Sequence, residues 1–296
     1  MERIEVKKGI LIYNPQSGDR LFTGLLDYVL KRFQEKGIYI YLYRLFESPL
    51  DLKEIIKNEK FDFAVFCGGD GTLHSCINLF LSEEVNIPFG VIPVGTSNDF
   101  AGCLDIKGSD DAIDKILNGK KKYIDVGFIN KEKYFLSTFA GGMFAGIAFE
   151  TERDLKETLG PMAYYITAVS DVINKKPFEL EIEINGKIHK EKAILFLVVN
   201  GKNAAGFSNI LEKADLSDGK MEIIVIKDCL HIDIPMLFLK IFNSGFKKDK
   251  NVVIYKGEKC KIRADKAKIT TTIDGEEGIP LPCEIEVLRN KIEVFM

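Results

Sequence analysis

The sequence predicts two domains: an α/β domain with a parallel sheet, followed by a mainly antiparallel β-sandwich domain. Between Gly9 and Ile92, short apolar strands alternate with amphipathic helices, which is typical of a parallel sheet covered by helices. After about Asp125 most segments are strand-like, and Asn185-Gly186 between two of them is a strong hairpin signal. The length of 296 residues also favours two domains over one.

The strands and helices of the first domain follow one another in a βα rhythm. Each strand is a run of apolar residues, and each helix carries apolar residues three or four positions apart. In chain order they are a strand at Gly9–Tyr13, a helix at Leu21–Lys36, a strand at Ile38–Tyr43, a helix at Leu50–Asn58, a strand at Phe63–Cys67, a helix capped by Thr72, and a strand at Phe89–Ile92. Ligands of such a sheet bind at the carboxyl ends of its strands.

The second domain is predicted to begin near Asp125–Asn130, where this rhythm ends. A helical pattern covers 145–174 and is interrupted at Gly160-Pro161. The remaining segments are strand-like and predict two packed sheets: Tyr123–Phe128, Tyr134–Phe139, Phe178–Ile184, Ile188–Val199, Met221–Ile226, Val252–Tyr255, Cys260–Arg263, Ile269–Ile273, Glu284–Leu288 and Ile292–Phe295. We therefore assign residues 1–127 to the first domain.

Composition and charge exclude several classes of protein. A net charge of -3 and a pI near 5.8 argue against nucleic acid as a partner. The six cysteines form no Cys-x-x-Cys pair and lie mostly in apolar runs, which indicates buried free thiols in a reducing cytosol. The first residues have no apolar signal core, and no apolar run is long enough to span a bilayer. We therefore expect a soluble cytoplasmic protein.

A glycine-rich turn, Gly68-Gly69-Asp70-Gly71-Thr72, joins a buried strand to a helix. Free amides and the helix dipole at such a junction favour an anion such as phosphate. Asp70 would repel that anion unless a cation lay between them, so one interpretation is that Asp70 binds magnesium. The other interpretation makes it a structural cap in a plain glycine turn.

A second turn, Pro93 to Ala101, follows the next strand and contains Gly95, Thr96 and Asp99. A capped helix start explains this segment when it is considered alone. The carboxyl ends of neighbouring parallel strands meet at one edge of a sheet, which places Asp70 and Asp99 together. A shared phosphate and metal then explain both aspartates.

Two polar turns in the second half are candidate sites. Asp215 to Lys220 is dense in oxygen ligands, as a hard cation requires, although a polar turn before the strand at Met221 explains the same residues. Asp274-Gly275-Glu276-Glu277-Gly278 is either a solvated hairpin or the source of a general base. If strand-like alternation continues through it, Asp274 and Glu276 share a face and Glu277 points away.

An apolar segment in the second half is either a core helix or a membrane-docking surface. It ends at Lys247-Lys248, whose charge suits an anionic membrane. Its apolar residues are Ile232, Pro235, Met236, Leu237, Leu239, Ile241, Phe242 and Phe246.

Taken together, these motifs resemble the soluble bacterial diacylglycerol kinases and their sphingosine and ceramide kinase relatives. The resemblance runs nearly end to end. Besides the two glycine turns it includes Asn14-Pro15 with Ser17-Gly18, Asp125-Val126-Gly127, Lys156 ahead of Leu159-Gly160-Pro161, Asp218-Gly219 and Asp274-Gly275-Glu276. It implies ATP-dependent phosphorylation of a lipid hydroxyl, a nucleotide-binding first domain completed by residues 290–296, and a lipid-binding sandwich at 128–289.

The resemblance also implies roles for individual residues. Glu276 is the catalytic base, with Asp274 as its positioning partner, and Lys156 helps to order the acidic cluster of Asp70, Asp99 and Asp125 around catalytic Mg²⁺. Asp215, Asp218 and the carbonyl of Lys220 match a structural cation site. The ATP-binding turns comprise Asn14, Pro15, Gln16, Ser17, Gly18, Gly68, Gly69, Asp70, Gly71, Thr72, Leu73, His74, Ser75, Gly95 and Thr96. The sequence departs from the family pattern at His74-Ser75, where Asn-Glu is usual, and at Ala205-Gly206-Phe207.

Several alternatives stay open at this stage. An NAD kinase also uses a Gly-Gly-Asp-Gly turn, and a nucleotide-binding regulator would lack catalysis. Phosphatidylglycerol, a sphingoid base or a polyprenol could replace diacylglycerol as the acceptor. The sequence does not decide between a monomer and a homodimer. A lipid acceptor implies that the cytoplasmic protein contacts the inner face of the membrane transiently.

Overall fold

The computed structural model describes residues 7–17, 21–45, 50–143, 177–231, 233–242, 246–265 and 269–296. The chain divides into two compact units: unit 1 is Met1–Ile124 with Lys291–Met296, and unit 2 is Asp125–Asn290. The predicted site residues Gly18 and Lys156, the helix at 145–174 and Ile232 lie outside the described residues.

Unit 1 contains a parallel sheet whose strands alternate with helices. The elements are β1 (Lys8–Tyr13), α1 (Leu21–Gln34), β2 (Tyr39–Arg44), α2 (Leu50–Asn58), β3 (Phe63–Gly68), α3 (Asp70–Ser82), β4 (Phe89–Pro93), α4 (Asp99–Cys103) and α5 (Ser109–Asn118). The four strands pair in parallel in the order β2–β1–β3–β4. Every residue of β3 is buried, as its uninterrupted apolar sequence predicts.

Unit 2 is built from antiparallel strands. β5 (Lys121–Ile129) and β15 (Cys283–Phe295) each have residues in both units. Between them lie β6 (Lys133–Phe135), β7 (Thr138–Gly142), β8 (Phe178–Ile184), β9 (Lys187–Val199), β10 (Met221–Lys227), α6 (Asp233–Phe242), β11 (Val252–Gly257), β12 (Lys259–Ala264), β13 (Thr271–Ile273) and β14 (Glu276–Glu277). Antiparallel pairing runs β14–β13–β7–β9–β8–β12–β15, and β10 pairs with both β9 and β11.

The core of unit 2 lies on both faces of β10. Ile223 and Val225 pack into one buried cluster, and Ile224 and Ile226 pack into another, because alternate residues of a strand point to opposite faces. Asn185 and Gly186 have the positive φ values that a tight hairpin turn requires. The α/β first unit and the antiparallel second unit confirm the predicted fold class.

The last strand returns to unit 1. Val294 of β15 pairs in parallel with Phe89 of β4, and the Met296 N–H donates to the Lys120 carbonyl at 2.9 Å. The ring of Phe295 packs edge-on against Phe63 with 5.8 Å between the ring centroids. Residues 291–296 therefore add a strand and an aromatic side chain to the core of unit 1.

Helix α6 has one side buried in the core of unit 2. Ile234 and Leu237 are each 2% exposed, and Phe246 just beyond the helix is 1% exposed, so these three residues serve as core rather than as a docking surface. Met236 of the same helix is 54% exposed. Across the described ranges, no helix is both long enough and apolar enough to cross a membrane.

Candidate functional site

Three turns meet at one edge of the sheet in unit 1. The register pairs Tyr13 with Cys67 and Gly68 with Pro93, so β1, β3 and β4 end at the same level. The three turns that follow these strands are therefore neighbours at the carboxyl edge, where open α/β sheets bind ligands.

The turn after β1 is bonded to the start of α3. Asn14 Nδ2 donates to Thr72 Oγ1 at 3.2 Å, and the Ser17 and Thr72 hydroxyls lie 3.4 Å apart. Asn14 Oδ1 also accepts the Gln16 N–H at 2.9 Å, which closes the turn locally. The structure thus brings together two segments that the sequence assigned separately to nucleotide binding.

Thr72 lies inside the helix and does not cap it, which corrects one prediction. Helix α3 begins at Asp70, and Gly69 occupies the cap position with extended backbone angles. Glycine permits the close turn that begins the helix three residues earlier than predicted. The Thr72 hydroxyl is therefore available for its bond with Asn14.

Gly69 and Gly95 approach each other too closely for side chains. A Cβ atom on Gly95 would lie 2.5 Å from the Gly69 Cα atom and 3.0 Å from Asn98 Oδ1. Asn98 holds this turn: its Oδ1 accepts the Gly95 N–H at 3.0 Å, and its Nδ2 donates to the Gly95 carbonyl at 2.5 Å. Because glycine carries no side chain, the two turns form a backbone-lined cradle of the kind that binds phosphate oxygens.

Asp70 connects the first glycine turn to the second. Its Oδ2 accepts the N–H of Asp99 at 3.2 Å, and its Oδ1 accepts the N–H of Phe100 at 3.3 Å. Asp70 therefore caps α4, so the structural interpretation left open by the sequence applies to it. Both aspartates are half-buried at this edge, and carboxylate oxygens are the ligands that Mg²⁺ prefers. Their donor chemistry fits the ion, and their role in binding it stays a prediction.

The other predicted ATP-binding residues differ in exposure. Leu73 is 4% exposed and its N–H donates to the Gly69 carbonyl, so its side chain belongs to the core. His74 is half-buried, and its carbonyl accepts Asn78 Nδ2 at 2.9 Å. Gln16, Ser75 and Thr96 are exposed.

In unit 2, Asp125 is a buried anchor. It is 1% exposed, and its two carboxylate oxygens accept the N–H groups of Gly219 at 2.6 Å and Asn290 at 2.8 Å. These bonds hold in place two chain segments that are far away in sequence. The described contacts give Asp125 a structural task that the sequence did not indicate, and its predicted part in an acidic magnesium cluster stays a prediction.

Glu276 follows a two-residue turn between β13 and β14. Asp274 and Gly275 form this turn with φ values of 49° and 90°, and Ile273 pairs with Glu276 across it. The assumption that strand alternation continues through Asp274 is therefore wrong, because the left-handed turn turns the chain back there. Glu276 and Glu277 are both exposed.

The Asp274 carboxylate is instead fixed by three consecutive backbone amides. Its Oδ2 accepts the Leu136 N–H at 2.9 Å, and its Oδ1 accepts the Ser137 and Thr138 N–H groups at 2.8 and 2.9 Å. Asp274 is 8% exposed. It therefore anchors the turn that carries Glu276.

Asn200 is a buried residue of this region that the sequence analysis missed. Its Nδ2 donates to the carbonyls of Asp125 and Leu136, each at 3.0 Å. The available signal was a polar residue after the apolar run Ala193–Val199 and directly before Gly201. Such a residue is buried at a strand end only if its amide is bonded.

Lys256 forms ion pairs at the Asp215–Lys220 turn and at the strand that follows it. Lys256 Nζ lies 2.7 Å from Asp218 Oδ2 and 2.7 Å from Glu222 Oε1. Burial raises the pKa of Glu222, and its bond to Lys256 opposes that shift. Asp215 Oδ1 accepts the N–H and Oγ–H of Ser217 at 3.0 and 2.8 Å.

Lys256 thus already pairs with one Asp218 oxygen. The predicted cation site formed by Asp215, Asp218 and the carbonyl of Lys220 stays a prediction.

Comparison with family models covers both halves of the chain. The model of the diacylglycerol kinase catalytic domain matches residues 8–129. The model of the YegS C-terminal NAD kinase beta sandwich-like domain matches residues 141–296.

Similar proteins include curated bacterial enzymes. A diacylglycerol kinase of Bacillus subtilis (strain 168) is 30% identical over 296 residues, which covers 98% of this chain and 97% of the relative. A diacylglycerol kinase of Staphylococcus epidermidis is 31% identical over 297 residues, with coverage of 98% and 92%.

Solved structures share the fold. A crystal structure from Bacillus anthracis str. Sterne matches with a TM-score of 0.84 at 24% identity and covers 100% of this chain and 97% of its own. A diacylglycerol kinase structure from the same organism matches with a TM-score of 0.80 at 22% identity and covers 98% and 97%.

Proposed function

Because the chain belongs to the diacylglycerol kinase catalytic domain family, we propose that it transfers the γ-phosphate of ATP to the hydroxyl group of diacylglycerol, forming phosphatidic acid. Membership of the family makes the protein an ATP-dependent lipid kinase. The choice of diacylglycerol as the acceptor is the further step, and it is supported by the names of relatives that cover nearly the whole chain.

The carboxyl edge of the sheet in unit 1 is the observation that carries the proposal. Three turns meet there, and two of them pack Gly69 against Gly95, with both glycines half-buried. The N-terminus of α3 adds the favourable end of a helix dipole. We assign the ATP phosphates to this edge.

Asp70 and Asp99 are the residues that would hold Mg²⁺ at this edge. When bound, the ion neutralises charge on the phosphate oxygens. Asp70 stays in place because two backbone N–H groups of α4 bind its carboxylate. The same two bonds keep Asp99 beside it.

Glu276 is assigned the role of the general base. In the reaction, the acceptor oxygen forms a bond to the γ-phosphorus, the bond from that phosphorus to the bridging oxygen of ADP breaks, and the hydroxyl proton passes to the Glu276 carboxylate. Phosphoryl transfer needs little covalent chemistry from the protein, so the base must above all be well positioned. The anchoring of Asp274 by three amides supports that requirement.

The two units are assigned separate tasks. We assign ATP to the predicted domain of residues 1–127 with 290–296, which overlaps unit 1. We assign the lipid to the predicted domain of residues 128–289, which overlaps unit 2. Because the acceptor is a membrane lipid, the protein is proposed to contact the membrane surface peripherally during turnover.

Transfer of radiolabelled phosphate to a panel of lipids tests the proposal. The purified protein is incubated with γ-labelled ATP and mixed micelles of diacylglycerol, phosphatidylglycerol, a sphingoid base or a polyprenol, with NAD as a separate acceptor. We expect labelled phosphatidic acid with diacylglycerol and no labelled NADP. Preferential labelling of another lipid would change the acceptor, and labelling of NAD alone would overturn the proposal. ATP binding without any transfer would indicate a regulator.

A further inference from the structure

A single segment, Leu136–Thr138, is held from two sides in unit 2. Its three N–H groups donate to the Asp274 carboxylate at 2.8 to 2.9 Å. From the other side, Asn200 Nδ2 donates to the Leu136 carbonyl at 3.0 Å, and the Asn200 N–H donates to the Ser137 carbonyl at 2.8 Å. Asp274 and Asn200 therefore hold the same three residues between them.

Asn200 also connects this segment to Asp125. The same Nδ2 group that bonds Leu136 donates to the Asp125 carbonyl at 3.0 Å. The Asp125 side chain in turn binds the N–H groups of Gly219 and Asn290. One buried carboxamide thus links the anchor at Asp125 to the turn that carries Glu276.

The burial of Asn200 has an energetic cost that its bonds only partly offset. Asn200 is 1% exposed, and its Oδ1 is buried without a hydrogen-bond partner among the described residues. An unpaired buried polar atom destabilises the folded state. A small apolar residue at position 200 would avoid that cost, but the carbonyls of Asp125 and Leu136 would lose the hydrogen-bond donor that Asn200 provides.

We infer that Asn200 is a positioning residue for Glu276, acting through Leu136–Thr138 and Asp274. The inference rests on the proposed role of Glu276 as the general base. Removing the Asn200 carboxamide loosens the segment that holds Asp274. The turn at Asp274-Gly275 then loses its fixed position, and Glu276 is held less well in the geometry needed to accept a proton.

A double-mutant cycle tests this route. Asn200→Ala is expected to lower kcat by about 10- to 100-fold, as loss of supporting hydrogen bonds around an active group does, with the KM for ATP unchanged. In the Glu276→Gln background, Asn200→Ala is expected to lower kcat by less than about 3-fold. The effects of the two substitutions are not additive, because both act through the same carboxylate.

The matched control is Asn203→Ala. Asn203 is also buried, at 5% exposure, and lies in the same connection between β9 and β10, but its Oδ1 accepts the N–H of Asn209 at 2.9 Å. Its removal is expected to lower the melting temperature without coupling to Glu276. Hydrogen exchange at the amides of Leu136–Thr138 is expected to quicken in Asn200→Ala and to stay unchanged in Asn203→Ala.

The outcomes separate the inference from the proposed function. Equal fold losses from Asn200→Ala in both backgrounds would overturn the inference and leave the base assignment intact. An unchanged turnover in Glu276→Gln alone would overturn the base assignment and the inference with it. If Asn200→Ala does not fold, the milder Asn200→Ser, which keeps one hydroxyl donor, is carried through the same cycle and decides it.

Discussion

The carboxylate of Asp70 accepts the backbone N–H of Asp99 at 3.2 Å. The second Asp70 oxygen accepts the next N–H along the chain, from Phe100. The first residue of α3 thereby fixes the start of α4, and two segments 29 residues apart form one edge. Asp70 has both a structural task and a proposed magnesium-binding task, so a test of its chemistry must keep its hydrogen bonds as far as it can.

Asp70→Asn is expected to lose magnesium-dependent turnover by at least about 100-fold while the protein stays folded. Asparagine keeps one oxygen to accept an N–H of α4 but removes the negative charge. Turnover is measured at saturating Mg²⁺, and folding by thermal melting. The control is Asp62→Asn, because the Asp62 Oδ2 also accepts a backbone N–H, from Lys8 at 2.7 Å, away from the glycine turns. Near wild-type turnover in Asp70→Asn would refute the metal-binding role.

Gly95→Ala is expected to weaken ATP binding. Its Cβ atom would lie 2.5 Å from the Gly69 Cα atom, and neither backbone segment can move without widening the cradle. Such overpacking costs about 1–3 kcal/mol, which is up to roughly 100-fold in affinity if it falls on the bound state. Gly24→Ala in α1 is the control, because its Cβ has no described atom within 4 Å. Calorimetric titration measures the affinity of both variants for ATP. Equal affinities of Gly95→Ala and Gly24→Ala would show that the phosphates bind elsewhere.

Thermal melting of the nucleotide-free protein tests the cation site predicted at the Asp218 turn. Added Mg²⁺ should raise the melting temperature of the wild type and leave that of Asp218→Ala unchanged. Lys256→Met should lower the melting temperature for a different reason, because Glu222 and Asp218 then lose their counter-charge. Equal responses of the wild type and Asp218→Ala to Mg²⁺ would leave this segment a plain turn.

Met236 is the described apolar residue of α6 expected to contact the membrane. It is 54% exposed, whereas Ile234 and Leu237 are buried. Met236→Glu should lower sedimentation with anionic vesicles, since a carboxylate disfavours both the apolar phase and the anionic surface. Ile188→Glu, which changes a residue that is 59% exposed in β9, is the control. Equal binding by both variants and the wild type would exclude α6 from docking.

Local patterns made the fold and the glycine turns predictable from the sequence. The apolar run of β3 predicts a buried strand, and the glycines after it predict a tight turn. The site at the carboxyl edge of the sheet in unit 1 can therefore be predicted from a few consecutive residues. Parallel pairing then places Asp70 beside Asp99 without further information.

Partners distant in sequence explain what the sequence did not reveal. The amides that Asp125 binds are 94 and 165 residues away, and those that Asp274 binds begin 138 residues away. The hydrophobic periodicity of a sequence carries no information about hydrogen bonds between such distant residues. The same holds for Asn200 and Lys256. Their partners, the Asp125 carbonyl and the Asp218 carboxylate, are distant in sequence and become neighbours only in the folded unit 2.

Phosphate transfer to diacylglycerol by two glutamine variants tests whether this lipid kinase uses Glu276 as its base. Glu276→Gln should lose about 100- to 10,000-fold in turnover with little change in the KM for ATP, because only the proton acceptor is removed. Glu277→Gln, which changes the adjacent exposed carboxylate, should stay close to wild type. The reverse ranking, or full activity in both variants, would show that Glu276 is not the base.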